Sequence, residues 1–120
     1  MSKKADLRRK FPRKDYHRGV GFLFNGEYMV LDGSELGEGG LSFFSSRLFP
    51  IGEEAALTFQ IPDGSFITVR VEVRHTSTVV ENEQFLVGCL FKNLQFEHKR
   101  EIRSYVSKQP DNLLKFRHLN

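Results

Sequence analysis

The sequence predicts a mainly all-β protein, a small six-stranded antiparallel β-barrel or sandwich closed by a C-terminal α-helix. Three observations carry this. Six short runs rich in β-branched and aromatic residues follow one another along the chain. Turn-forming residues separate several of them. The last stretch then changes to helix formers without Gly or Pro.

The elements fall in order. Residues 1–14 lack periodicity and read as a flexible basic arm. GVGFLF (19–24) and EYMVL (27–31) flank Asn25-Gly26, the strongest short hairpin signal. LSFFS (41–45) follows a glycine-rich stretch, DGSELGEGG, which reads as loose polar backbone, a bulge or a tight turn feeding the strand. EAALTFQI (54–61) and SFITVRVEVRH (65–75) flank Pro62-Asp63-Gly64. From Ile67 to Val73 alternation is strict: Ile67, Val69, Val71 and Val73 face one side, and Thr68, Arg70 and Glu72 the other. EQFLVGCLF supplies another strand after Glu81-Asn82-Glu83. LQFEHKREIRSYVSKQ reads as a helix, with Ile102, Tyr105 and Val106 on one stripe and Pro110 after its end. The body is set at 15–109, with 110–120 as a C-terminal tail. Most of the twelve Phe are expected in the core.

At 120 residues the chain suits one domain with one core. No apolar run approaches the roughly 18 residues that span a bilayer. The N-terminus has no apolar segment of a secretory signal, so a cytoplasmic protein without membrane insertion is expected. Cys89, the single cysteine, lies in an apolar run and reads as a core thiol. The net charge of +3 is unevenly spread. Residues 1–18 hold eight Lys/Arg against Asp6 and Asp15, a local +6. The other ten basic and thirteen acidic residues leave the body at −3. Such an arm meets an anion or serves as a solubilising tail.

Little points to catalysis. His17, His75, His98 and His118 stand far apart without ligand spacing, and there is no cysteine pair, so no metal site is expected. No GxSxG, Walker loop or strand–GxGxxG–helix unit appears, and an enzyme is not expected. Two features remain. In RKFPR (9–13), Arg9 and Arg13 stand four apart on a segment that Pro12 keeps out of a helix interior. Guanidiniums match phosphates as planar forks and stack on bases. In the glycine-rich stretch, backbone can approach a ligand closely and aim N–H groups at it.

With these two features in this order, the chain resembles the PilZ domain family, whose members bind cyclic di-GMP. That family carries RxxxR on an N-terminal arm, then [D/N]xSxxG at the edge of a six-stranded split barrel. RKFPR matches the first motif in full. GGLSFFSSRLFPIGEEAALTFQIP resembles the family's strand, the turn ending at Gly52 and the next strand. The resemblance covers residues 8–108. Two registers compete for the second motif. Asp32, Ser34 and Gly37 satisfy DxSxxG literally. The other register aligns Glu35-Leu36-Gly37-Glu38-Gly39-Gly40-Leu41 with the family's D-L-S-x-G-G-L. It keeps the strand and Gly52 in place without a gap, with Glu35 for Asp/Asn and Gly37 for Ser, and is the one favoured.

The resemblance implies a bacterial second-messenger receptor whose arm orders over the ligand. Arg9 and Arg13 would hold guanine edges and phosphates, and Arg8 would add charge. Glu35 would accept from a guanine N1–H and N2–H₂ edge, Gly37 and Gly40 would admit close backbone approach, and Arg74 would add charge. No cofactor beyond this ligand is implied, and an unidentified downstream protein partner is. A nucleotide-free interaction module of the same fold is the alternative. A barrel binding RNA or single-stranded DNA would draw on the basic arm with Phe11 and Tyr16, but nucleic acid is not the expected partner.

Overall fold

The structure, a computed structural model, describes residues 12–108. Its elements are β1 (Arg13–Asp15), β2 (Gly19–Phe24), β3 (Glu27–Gly37), β4 (Gly40–Ser45), β5 (Glu54–Gln60), β6 (Phe66–Val80), β7 (Gln84–Lys92) and α1 (Phe96–Ser107). The sheet runs β1-β3-β2-β5-β6-β7-β4, and β4 also pairs with β3. Strands β2 to β7 therefore close into the expected six-stranded antiparallel barrel. β1 is a short extra strand on β3.

Local chemistry sets the corners. Asn25 and Gly26 both have positive φ, 50° and 79°, as a type I′ hairpin turn requires. Asp63 takes φ 59°, and the Gly64 N–H donates to the Ile61 carbonyl at 2.7 Å. Gly52, at φ 95°, turns the chain into β5.

Three elements differ from the sequence expectation. Arg13 and Lys14, assigned to the arm, form β1 with Asp15, opposite Gly37, Leu36 and Glu35. β3 does not stop at Leu31. It runs through the glycine-rich stretch because β1 or β2 pairs with one edge and β4 with the other. Tertiary pairing here outweighs the poor strand propensity of Asp and Gly. β6 continues to Val80, with register shifts at Val73/His75 and Thr78/Val80 that interrupt simple alternation.

The alternating residues Ile67, Val69, Val71 and Val73 all face the core, together with Phe22, Phe24, Phe43, Phe49, Phe59 and Phe91. Phe22 touches Phe43 and Phe49 with ring centroids 4.9 and 5.0 Å apart. Tyr16 is fully buried, edge-on to Phe59, and its hydroxyl donates to the Gln60 carbonyl at 2.6 Å. A ring held this way cannot stack on a nucleobase, which removes one of the two aromatic cues for single-strand binding; Phe11, the other, lies outside the described residues. Ile102 and Val106 fix α1 to the barrel. No helix among the described residues is long and apolar enough to cross a membrane.

Candidate functional site

The site lies on the outer face of β3, β4, β7 and β6. Strand pairing brings Glu35 opposite Ser42, Ser42 opposite Gly88, and Gly88 opposite His75. These four form one row across the barrel wall, about 14 Å from end to end at ordinary strand spacing. The middle of the row is small: a hydroxymethyl and a glycine. A neighbouring row, Asp32–Phe44–Leu86–Ser77, adds two partly exposed apolar side chains.

Two β-bulges build this face. Gly33 pairs with Phe43 and Glu35 with Ser42, so Ser34 is an inserted residue. Normal alternation would send Asp32 and Glu35 to opposite faces; the insertion restores both to the outside. Both competing registers of the acidic motif thus point to the same surface. The Ser42 hydroxyl accepts from the Glu35 N–H at 3.1 Å and ties down the bulge. On β6, Arg74 is the inserted residue between Val73 and His75, and both Arg74 and His75 are exposed.

Glycines allow the close packing beneath. A Cβ on Gly33 would come within 2.7 Å of the Tyr16 ring and carbonyl. A Cβ on Gly40 would overlap the Cys89 carbonyl. At Gly37 it would stand 3.2 Å from Arg13 Cγ and from the Pro12 carbonyl, so Gly37 is where β1 lies flat on β3. Arg13, half exposed, reaches to 3.8 Å from the Glu35 carboxylate. Arg74 is likewise half exposed, 3.8 Å from Glu72.

Of the residues expected from sequence, Arg13, Glu35, Gly37 and Gly40 are brought together, and Asp32 and Ser34 share their strand. Arg74 lies at the far end of the row, three strands away. Arg8 and Arg9 lie outside the described residues. No sequence motif marks Ser42, Gly88 or His75. In the sequence His75 shows no ligand spacing, and only the pairing register reveals the row. An open groove of about 460 Å³ continues the face past Asp32 and Phe44 to Val30, Val80 and Glu83.

A flat floor with a guanidinium at each end suits a planar, anionic ligand. Ser42 and His75 stand two strands apart, about 10 Å, too far for a nucleophile–base hydrogen bond. Cys89 faces the core, where burial pushes its thiol up to about 12. Among the described residues, no three His, Cys, Asp or Glu side chains stand close enough to hold a metal.

Comparison with known proteins gives a consistent result. The family model described as PilZ domain matches residues 7–108. Among solved structures, MotI/DgrA of Bacillus subtilis superposes with a TM-score of 0.74 at 17% identity, covering 82% of this chain and 49% of that one. K. pneumonia MrkH in its c-di-GMP complex gives 0.66 at 18%, covering 94% and 56%. The PilZ domain of Escherichia coli YcgR with c-di-GMP gives 0.61 at 14%, covering 82% and 88%. At such identities the likeness shows the fold. The chain spans about half the length of the first two. No match is found among the curated proteins.

Proposed function

Because the chain belongs to the PilZ domain family, we propose that it is a bacterial cytoplasmic receptor and adaptor for cyclic di-GMP. The observation that carries this reading is the Glu35–Ser42–Gly88–His75 row, with Arg13 at one end and Arg74 at the other. A guanine base lies flat over Ser42 and Gly88. Glu35 accepts from its N1–H and N2–H₂ edge. Arg13, with Arg9 of the arm, engages O6/N7 edges and phosphates, and Arg8 adds positive charge. Arg74 supplies positive charge from the far side, and His75 offers a ring face or a donor. The arm orders across the ligand, and the filled surface is read by a protein partner.

A second reading rests on one contact. Arg13 and Glu35 already pair with each other, and Glu35 and Gly37 replace the family's Asp/Asn and Ser. A domain in which that pair outcompetes the nucleotide would serve as a protein-interaction module alone.

Isothermal titration of cyclic di-GMP into the protein separates the two, with GMP and an Arg9→Ala/Arg13→Ala double variant as controls. Micromolar or tighter binding that is lost in the double variant supports the receptor. No heat at high ligand concentration sinks it in favour of the interaction module.

A further inference from the structure

The helix touches both halves of the proposed site. Glu38 sits at the tip of the β3–β4 hairpin, between Gly37 and Gly39. Its carboxylate accepts from Arg103 Nε at 3.1 Å and from Arg103 Nη2 at 2.6 Å, a two-pronged bond on a side chain only 12% exposed. The Arg103 guanidinium holds the Glu38 carboxyl below the usual carboxylate range. Two residues on, the Tyr105 hydroxyl donates to the Asp15 carbonyl at 2.8 Å, and Lys14 Nζ stands 4.7 Å over the Tyr105 ring. Asp15 and Lys14 are the β1 neighbours of Arg13.

We propose that Arg103 and Tyr105 are positioning residues that clasp the glycine hairpin and β1 together, making α1 the element that senses whether the nucleotide site is filled. The ligand-dependent half of this rests on the receptor reading above. Ile102 and Val106 seat α1 against the barrel, so the two side chains flanking that seat act from a fixed base. The hairpin brings Glu35, Gly37 and Gly40; β1 brings Arg13. A ligand that draws Arg13 inward pulls on β1 and thereby on Tyr105. Linkage makes this reciprocal: whatever displaces α1 weakens the nucleotide, and the nucleotide tightens α1.

Hydrogen exchange read by mass spectrometry on the full chain tests the clasp, with and without cyclic di-GMP. The variants are Arg103→Ala, Tyr105→Phe and the charge exchange Glu38→Arg/Arg103→Glu. The control is Glu101→Ala, which removes a different helix anchor, the 2.8 Å bond to the Ser65 N–H at the β5–β6 turn. Without ligand, Arg103→Ala is expected to speed exchange several-fold over 36–41 and Tyr105→Phe over 13–16. Glu101→Ala leaves both segments unchanged, and the charge exchange restores 36–41. With ligand, both single variants bind roughly three- to tenfold more weakly, and wild-type α1 gains protection. Unchanged exchange in the single variants overturns the clasp. Equal acceleration by Glu101→Ala does so too, whereas altered exchange with wild-type affinity overturns the role of α1 as the element that senses the nucleotide. Wild-type protein that binds no nucleotide, with the segmental effects present, sinks the receptor reading and leaves the clasp standing.

Discussion

Arg13 and Glu35 face each other across the β1–β3 pairing, guanidinium to carboxylate at 3.8 Å, with Asp15 rather than Arg13 directly opposite Glu35 in the ladder. The pair is diagonal and half exposed, and such pairs contribute little to stability. Arg13→Ala is therefore expected to leave the thermal midpoint nearly unchanged while weakening cyclic di-GMP by about 1–3 kcal/mol, the size of charge-assisted hydrogen bonds. Calorimetry on the variant showing wild-type affinity would remove Arg13 from the site.

Gly88 divides folding from binding. A Cβ there meets only His75, its Cβ at 3.5 Å and its carbonyl oxygen at 3.9 Å, both ordinary contacts, so Gly88→Ala should fold with stability close to the parent. It should still lower nucleotide affinity several-fold by raising the floor of the row. Parallel melting and titration check this; unaltered binding would mean the ligand does not lie over β7.

The hairpin glycines should behave oppositely although adjacent. Nothing lies within 4 Å of a Cβ on Gly39, whereas one on Gly40 strikes the Cys89 backbone. Gly40→Ala should cost about 1–3 kcal/mol, as overpacking does, and Gly39→Ala less than 1. For a domain of this size each kcal/mol moves the melting midpoint by about 4–8 °C. Equal midpoints for the two variants would contradict the β4–β7 packing.

Cys89 carries a pH prediction. Its folded thiol is raised by burial from an ordinary 9.0 to about 12. Between these values the unfolded chain loses the proton and the folded chain keeps it. The stability this contributes is fully present below pH 9 and is lost as pH rises toward 12. Cys89→Ala should flatten the fall in urea midpoint between pH 9 and 11. At pH 8, iodoacetamide should label Cys89 far more slowly in the native protein than in urea. Rapid native labelling would place the thiol at the surface.

β2, β4, β5 and β7 lie within a residue or two of where their apolar patterns and turn signals place them in the sequence. Asn25-Gly26 and Asp63-Gly64 declare their backbone angles in their side chains. β1 is illegible because RKD has no strand character; it is held by pairing with β3, where the bare backbone of Gly37 gives it room. The far half of β3 hides for a related reason, since its Asp and Gly residues suit a strand only when flanked by partners on both edges. At the site, Arg13 and Glu35 are visible through their motif. Ser42, Gly88 and His75 are not, because a row across four strands leaves no periodic trace along the chain.

Ser34 gives β3 two half-strands of independent phase. The first half, Tyr28 to Asp32, keeps time with β2; the second, Glu35 to Gly37, keeps time with β1. Deleting one residue at the junction would be a phase slip. It would turn the Glu35 carboxylate toward the barrel axis and Leu36 toward water while altering no other residue. The length of this motif therefore constrains the chain more tightly than its letters do. Two chains with identical acidic and glycine residues, but one residue apart in spacing, would present different surfaces to the same ligand.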